Sequence, residues 1–260
     1  MSHDLNELAE LAGHAADAVV GALADPDVRS DLGIETKTTT TDMVTVMDRW
    51  SEQTIVETIL AARPDDGIVG EEGAERESTS GVSWIIDPID GTTNFIRNLP
   101  GFSVSIAAAI DGVTVVGLVH DPIRNERFLA VTGQGATLNG ETLKVSQPES
   151  LAKSVIATGF SYDPQRRLKQ AEQLITVLPN VADIRRFGGA AIDCCSVAAG
   201  RLDAYFEIGV QDWDIAAGAL LIKEAGGVVA DQRDAGGPFI AASPAIFDDL
   251  VSLVGQATPS

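Results

Sequence analysis

The stretch Trp84-Ile85-Ile86-Asp87-Pro88-Ile89-Asp90-Gly91-Thr92-Thr93-Asn94-Phe95 decides how the rest of the sequence is interpreted. Trp84 to Ile86 predicts a short buried strand, and two aspartates three positions apart follow it. The proline between them fixes its own φ and holds the preceding aspartate extended, so the exit from the strand is rigid. Gly91 permits close backbone approach, and Thr92-Thr93-Asn94 predicts a helix start, whose free N–H groups attract an anion. The stretch therefore offers carboxylates for a cation beside amides for a phosphate.

Hydrophobic patterning in the first 150 residues predicts two helices followed by strands. Apolar residues recur at helical spacing from Leu5 to Leu23, and a second helix is expected from about Asp42 to Thr45 as far as Ala62. Asp111-Gly112 is a strong hairpin signal between two of the strands. Alternating or β-branched runs predict strands at 82–86, 103–110, 113–120 and 126–131.

Beyond Ser150 strands and helices alternate, which predicts helices packed against a sheet. The expected strands are 154–158, 183–187 and 204–207, and the expected helices are 166–178, 188–199 and 213–225. The fold class is therefore α+β or mixed α/β. We divide the chain into an α+β half at 1–150, carrying the acidic motifs, and an α/β half at 151–260, which together form one compact unit.

Composition excludes several classes of function. The chain has 260 residues, of which 45% are hydrophobic, and 18 Lys and Arg against 38 Asp and Glu give a formal net charge of -20. Such acidity repels phosphate backbones and anionic lipids, so neither nucleic acid nor a membrane surface is an expected partner. No apolar run reaches the ~18 residues of a membrane helix, and we expect no signal peptide. The adjacent Cys194 and Cys195 suit a reducing interior, which predicts a cytoplasmic protein.

Two further acidic motifs lie outside the central stretch. Gly70-Glu71-Glu72-Gly73 follows a short apolar segment, and Asp212-Trp213-Asp214 precedes an alanine-rich helix. Each could be a surface turn or a helix cap, or could add carboxylates to a site. The chain has three histidines and no Cys/His cluster, which excludes a zinc site of nitrogen and sulfur ligands. Oxygen ligands favour Mg2+, which commonly bridges carboxylates and substrate phosphates.

Taken together, these motifs resemble the inositol monophosphatase family of Mg2+-dependent, lithium-sensitive phosphatases. They occur in family order and span nearly the whole chain: Gly-Glu-Glu from Gly70, the stretch from Trp84 to Phe95, Trp213 to Gly218, and Glu224-Ala225-Gly226-Gly227. The resemblance implies a layered αβαβα sandwich of the sugar-phosphatase type and a homodimer. It also implies hydrolysis of a small phosphorylated polyol or metabolite, with myo-inositol phosphate as the first expectation.

The resemblance also implies a set of metal ligands. Glu71, Asp87 and the backbone carbonyl of Ile89 would bind a first Mg2+ ion. Asp87, Asp90 and Asp214 would bind a second, and Glu71 with waters would bind a weaker third. Two or three ions per site are therefore expected, with Mn2+ as a possible substitute. These cations would offset the repulsion between an acidic protein and a phosphate ester.

The same resemblance implies catalytic and substrate-binding roles. Asp48 would pair with Thr92 to orient the attacking water, with Glu71 as a further catalytic group, and the amides of Gly91 and Thr92 would hold the phosphate. Lys37 matches a lysine in the family's mobile loop, here the polar run Glu35 to Thr41. Substrate contacts are implied for Glu207, Gly188, Gly189, Ala190, Asp90 and Asp214.

Several alternatives stay open at the level of sequence. The same chemistry could act on histidinol phosphate, fructose bisphosphate, an adenosine bisphosphate or NADP, and Arg185-Arg186 could be a solvated face or a second phosphate contact. A catalytically silent cation- or ligand-binding regulator is the alternative from another class. Cys195 to Arg201 has the spacing of a cysteine phosphatase, but its apolar, helical context favours packed thiols.

Overall fold

The computed structural model describes residues 3–28, 33–37 and 43–255, and within them two large β-sheets and seven α-helices form five layers. The part of the expected mobile loop from Thr38 to Thr41 lies outside the described residues, as does Asp42. None of the helices in the described ranges is long and apolar enough to cross a membrane.

Helices α1 (Leu5–Ala24) and α2 (Val46–Ala62) form the first layer. The Asp4 carboxylate caps α1 by accepting from the Asn6 N–H at 2.9 Å. Thr45 caps α2, so this helix begins at Val46 and not at Asp42. Met43–Val44 instead forms strand β2, which pairs with β1 (Glu35–Thr36) in a small antiparallel sheet. Positions 35 and 36, which the sequence placed in a mobile loop, thus form a paired strand.

An eight-stranded sheet forms the second layer. Its order is β10-β9-β8-β7-β6-β5-β3-β4, and all neighbours are antiparallel except β3 and β5. The hairpin at Asp111-Gly112 is confirmed, with both residues at positive φ. The strands are β3 (Gly67–Gly70), β4 (Glu75–Arg76), β5 (Val82–Asp90), β6 (Ser103–Ile110), β7 (Val113–Asp121), β8 (Glu126–Val131), β9 (Gly135–Leu138) and β10 (Glu141–Thr142).

Strand β5 is longer than its sequence suggested. It was expected to end at Ile86, but it continues through Asp87 to Asp90, where the five-residue helix α3 (Thr92–Ile96) follows. Pro88 removes one ladder N–H without ending the extended backbone, and the register with β6 shifts between Asp87 and Asp90. This irregularity places both aspartates within the strand.

The remaining layers lie behind this sheet. The second sheet has the order β12-β11-β13-β15-β14, and it is mixed. Its strands are β11 (Val155–Thr158), β12 (Asp183–Arg185), β13 (Ala204–Glu207), β14 (Val228–Asp231) and β15 (Phe239–Ala242). The helices are α4 (Pro164–Val177), α5 (Ala190–Ala198), α6 (Asp212–Glu224) and α7 (Phe247–Val254), with 3-10 turns at Leu151–Lys153, Leu178–Asn180 and Arg233–Ala235.

Three apolar cores show how the layers stack. One packs α1 and α2 on the first sheet, one packs α5 and α6 between the two sheets, and one packs α4 and α7 on the outer face of the second sheet. The expected αβαβα sandwich is confirmed. Because α6 packs against β7 of the first sheet, the halves share a core. The boundary at residue 150 stays an interpretation of the sequence.

Candidate active site

A cavity of about 410 Å³ opens where the end of β5 meets the N-terminal ends of α5 and α6. All but one of the residues expected in the site line it. They are Lys37, Glu71, Asp87, Ile89, Asp90, Gly91, Thr92, Gly188, Gly189, Ala190, Glu207 and Asp214. The remaining residue, Asp48, is fully buried directly behind Thr92. The structure thus brings the expected residues together, while their individual roles stay predictions.

Thr92 and Asp48 form a hydrogen-bonded pair at the wall of the cavity. The Thr92 hydroxyl lies 3.1 Å from Asp48 Oδ1 and 3.1 Å from the Ile89 carbonyl, so its single proton can go to either acceptor. Asp48 Oδ2 accepts from the Thr45 N–H at 2.8 Å and from the Thr45 hydroxyl at 2.6 Å. The capping of α2 therefore fixes the carboxylate that Thr92 faces.

Gly91 cannot carry a side chain in this turn. Its φ is +88°, and a Cβ there would lie 2.7 Å from the Gly101 carbonyl oxygen. Gly91 immediately precedes α3, and the first N–H groups of a helix have no partner within it. The turn therefore presents backbone N–H groups beside Thr92, as the sequence predicted.

Asp87 and Asp90 are both held by backbone N–H donors. Asp87 Oδ1 accepts from the Ile89 N–H at 3.0 Å, and the two oxygens of Asp90 accept from the N–H groups of Ala190 and Ala191 at 3.0 and 2.8 Å. Asp90 thus ties β5 to the start of α5. A Cβ on Gly189 would lie 2.6 Å from Asp90 Oδ2, so glycine is needed for this approach.

Asp214 and Glu71 reach the cavity from two other elements. Asp214 Oδ2 accepts from the Gln211 N–H at 2.6 Å, in the capping box of α6. The Glu71 N–H donates to the Ile86 carbonyl at 3.1 Å, which anchors the β3–β4 turn on β5 one residue before Asp87. Acids that are far apart in sequence are therefore fixed around one space by local backbone contacts.

The grouped acids repel one another. Burial raises the pKa of Asp87 well above its usual range, and the charges of neighbouring acids raise it further; these are Glu71, Asp90 and Asp214. Burial also raises the pKa of Asp90 to about 7, against the opposing effect of its two backbone donors. Such a cluster favours either protons or a cation.

The Lys37 ammonium places one positive charge at the cavity. Its Nζ lies 3.0 Å from Glu71 Oε1 and 2.5 Å from Glu72 Oε1. Burial acts to lower the pKa of Lys37, but the two glutamates outweigh it and the pKa is raised. Burial raises the pKa of Glu72 to about 7 despite the lysine. Position 37, expected in a mobile loop, is thus held against the cavity by two ion pairs.

The donor chemistry fits a hard divalent cation. The cavity offers carboxylate oxygens and a backbone carbonyl, an ammonium already rests on Glu71, and the mutual repulsion of the acids would be relieved by added positive charge. As they stand, no three His, Cys, Asp or Glu side chains in the described ranges form a ready-made metal site. Metal binding would have to draw the carboxylates closer together.

The cavity is also lined by a second polar group of residues. Glu207 accepts from the Tyr205 hydroxyl at 2.7 Å, and a Cβ at Gly159 would overlap its carboxylate. Asp193 lies within α5, is 2% exposed and lines the cavity, and its Oδ1 has no hydrogen-bond partner in the described part of the chain. Arg186 also lines the cavity, and its charge counteracts the burial that raises the pKa of both Glu207 and Asp193.

The two adjacent arginines have different surroundings. Arg185 pairs with Asp183 at 2.6 Å on the surface, whereas Arg186 faces the cavity. Sequence reasoning had left both possibilities open for the pair. It assigned no role to Asp193 or Glu72, although an acid inside the apolar run 190–198 is itself a signal of a polar cavity.

The two thiols are packed in the core, as the apolar, helical context of Cys195 predicted. Cys194 and Cys195 are buried in α5, and burial raises the pKa of both well above the usual range. A thiolate nucleophile is therefore disfavoured at these positions.

An αβαβα sandwich with acids and amides converging between its sheets defines the class of layered sugar-phosphatase-type folds. The family is identified by comparison: residues 4–249 match the model of the inositol monophosphatase family, and the chain belongs to that family. The family is one of metal-dependent phosphatases, which agrees with the oxygen donors of the cavity.

Similar proteins carry two kinds of name. The chain is 43% identical over 257 residues to a protein of Pasteurella multocida named Nus factor SuhB, covering 96% of each chain. It is 44% identical over 235 residues to inositol-1-monophosphatase SuhB of Mycobacterium tuberculosis, covering 85% of this chain and 81% of that protein. The solved inositol monophosphatase from Anabaena (Nostoc) superposes with a TM-score of 0.86 at 33% identity, covering 99% of this chain and 98% of the other.

Proposed function

We propose that the protein is a metal-dependent phosphate monoester hydrolase and that its substrate is a phosphorylated polyol, myo-inositol 1-phosphate in the first place. The observation that carries the proposal is the Thr92 hydroxyl 3.1 Å from the buried Asp48, at the wall of a cavity lined by six further acids. A hydroxyl bonded to a carboxylate can accept a proton from water and pass its own proton on. The name of the Mycobacterium tuberculosis relative, inositol-1-monophosphatase SuhB, supports the same substrate.

In this proposal Mg2+, or Mn2+ in its place, is held by carboxylates and one carbonyl. The side chains of Glu71, Asp87, Asp90 and Asp214 and the Ile89 carbonyl would hold two or three ions. When bound, the cations supply positive charge that offsets the phosphate charge, acidifies water and stabilises the leaving alkoxide. Glu71 would then exchange part of its contact with Lys37 for an incoming ion, which would leave the Lys37 ammonium available to the phosphate.

The chain's own residues orient the reactants. The Gly91 and Thr92 N–H groups hold the phosphate, and the Thr92 hydroxyl aligns the attacking water in line with phosphorus. Glu207 accepts from polyol hydroxyls, and the Gly188 to Ala190 backbone lines the same cavity. Direct attack by water requires no covalent phosphoenzyme.

The test is release of inorganic phosphate with Mg2+ and with excess EDTA. Inositol 1-phosphate is compared with histidinol phosphate, fructose 1,6-bisphosphate, adenosine 3',5'-bisphosphate and NADP by kcat/KM. We expect hydrolysis that requires the metal, with the highest kcat/KM for inositol 1-phosphate. Hydrolysis unaffected by EDTA but stopped by iodoacetamide would overturn the proposal in favour of a thiol enzyme.

The proposal includes two properties implied by the family resemblance, inhibition by lithium and a homodimer. It also includes a cytoplasmic location, which the free thiols of Cys194 and Cys195 favour. Light scattering gives the mass in solution, and titration with LiCl at fixed Mg2+ measures the inhibition. A monomer would contradict the homodimer, and full insensitivity to lithium would contradict the expected inhibition. The hydrolase assignment itself is tested by the phosphate assay alone.

A second candidate is a regulatory role without turnover. The name Nus factor SuhB on a relative that matches 96% of this chain favours keeping it. The two candidates differ in one measurement: a regulator binds the cation without releasing phosphate from any ester in the panel. Turnover on any of them, lost with EDTA, excludes a catalytically silent protein.

A further inference from the structure

Glu52 is a buried carboxylate on α2 that accepts hydrogen bonds from the turn between β3 and β4. It is 4% exposed. Its Oε2 accepts from the Glu72 N–H at 2.8 Å, and its Oε1 accepts from the Ala74 N–H at 2.9 Å. Both donors belong to the turn that contains Glu71, so each oxygen of one side chain holds one side of that turn.

Gly70 makes this approach possible. A Cβ at position 70 would overlap the Glu52 carboxylate, and the three nearest atoms to it all belong to Glu52. Gly70 is not among the residues with positive φ, so the backbone itself would accept alanine. The requirement for glycine at position 70 therefore comes from the carboxylate.

The same helix contributes to both sides of the candidate site. Asp48 precedes Glu52 by four residues, which places the two side chains on one face of α2. Asp48 reaches Thr92, whereas Glu52 reaches the turn. The other side of the turn is anchored on β5, because the Glu71 N–H donates to the Ile86 carbonyl. The turn is thus held between α2 and β5.

We propose that Glu52 is a positioning residue that sets the Glu71 carboxylate against Asp87 and thereby sets the affinity of the site for a divalent cation. The inference rests on the proposed function, because it takes Glu71 as a ligand of that cation. Glu52 itself touches neither substrate nor cation. Its effect passes through the backbone of the turn.

The direct test is Glu52→Gln. A glutamine offers one acceptor oxygen, and its NH2 group faces the second N–H of the turn. We expect the dissociation constant for Mn2+, measured by calorimetry on the substrate-free protein, to rise by about 10–100-fold, as for other residues that orient metal ligands. At saturating metal, KM for inositol 1-phosphate should stay within about twofold of the wild type.

The matched control is Glu57→Gln on the same helix. Glu57 is exposed and accepts from the Gln53 side chain at 2.8 Å, so this variant removes the same charge without touching the turn. Its Mn2+ affinity should equal that of the wild type. Equal Mn2+ affinities for Glu52→Gln and Glu57→Gln would overturn the inference.

Gly70→Ala gives an independent measurement and replaces Glu52→Gln if that variant does not fold. In the wild-type background the added methyl displaces Glu52, so Mn2+ affinity should fall by a similar factor. In the Glu52→Ala background the obstructed carboxylate is gone, and Gly70→Ala should add no further loss. Two losses that simply add would overturn the inference, because they would place the effect of Gly70 elsewhere.

The outcomes separate this inference from the proposed function. If the wild type neither binds Mn2+ nor releases phosphate, the proposed function fails. If the wild type does both and the Glu52 variants bind Mn2+ normally, the positioning role alone fails. Thermal denaturation of each variant accompanies the titrations, because a purely structural role would lower Tm without changing the affinity of the remaining folded protein.

Discussion

The Thr92 hydroxyl lies 3.1 Å from the Asp48 carboxylate, although 44 positions separate the two residues in the chain. Asp48 is held from behind by the cap of α2, and Thr92 begins the helix that follows the β5 aspartates. A helix start on each side thus fixes the pair. This rigidity is what a proton-transfer pair requires, because its contribution depends on the geometry of the hydrogen bond.

Replacing the hydroxyl should therefore affect turnover more than binding. For Thr92→Ala we expect kcat to fall by about 10²–10⁴-fold, the range typical of lost general acid–base assistance, with a much smaller change in KM. Steady-state phosphate release at saturating Mg2+ measures both. Thr93→Ala, one position along the same short helix, is the control. A Thr92→Ala enzyme with normal kcat would rule out the pair as part of the mechanism.

Asp90→Asn tests the requirement for negative charge with little change in volume. The carboxylate accepts from two backbone N–H groups of α5, and the amide can satisfy only one of them while losing its charge. We expect no measurable phosphate release at any Mg2+ concentration. Asp65→Asn removes an exposed carboxylate and should leave activity unchanged. Near-normal turnover by Asp90→Asn at saturating Mg2+ would contradict its assignment as a cation ligand.

The parts of this architecture that depend on neighbours in sequence could be predicted. The helix from Leu5, the hairpin at Asp111-Gly112 and the glycine turn at position 91 follow from periodicity, turn chemistry and backbone freedom. The end of β5 could not, because Pro88 suggested a stop. The structure continues the strand because Ser103 on β6 pairs with Asp90 beyond the bulge.

The site shows the same division. The acid-rich motifs were visible in the sequence, and their convergence was implied only through the family resemblance. The role of Glu52 could not be found by pattern, and the sequence left two roles open for the pair Arg185-Arg186, because the answer depends on contacts across the fold. Glu52 reaches backbone donors 20 and 22 positions away, and Arg186 differs from Arg185 only in which way its side chain faces.

The stability of the first sheet should depend on pH through Asp66. This carboxylate is 1% exposed. Burial acts to raise its pKa, but hydrogen bonds from Arg63, Ser80 and the Trp84 indole outweigh burial, and the pKa of Asp66 is lowered. A lowered carboxyl pKa stabilises the fold above the unfolded-state pKa of about 3.9. That contribution is lost as the pH falls through and below this value.

For Asp66→Asn we therefore expect a loss of about 1–3 kcal/mol in the free energy of unfolding at pH 7, since charged hydrogen bonds are broken. The gap between wild type and variant should narrow below about pH 4, because the unfolded wild-type chain then binds a proton at Asp66 that the folded protein, with its lowered pKa, still resists. Urea denaturation at a series of pH values measures this difference in the free energy of unfolding. A gap that stays constant from pH 7 to pH 3 would show that the charge of Asp66 does not contribute.

The two adjacent arginines provide a test of substrate charge. Arg186 lines the cavity beside Glu207 and Asp193, whereas Arg185 is paired with Asp183 on the surface. Without the Arg186 guanidinium, the charges of Glu207 and Asp193 are no longer offset and should repel a second phosphate. In Arg186→Gln we expect kcat/KM for fructose 1,6-bisphosphate to fall by about tenfold relative to that for inositol 1-phosphate, which corresponds to ~1.4 kcal/mol. Arg185→Gln should leave this ratio unchanged. Equal ratios in the two variants would mean that Arg186 does not sense the charge of the substrate.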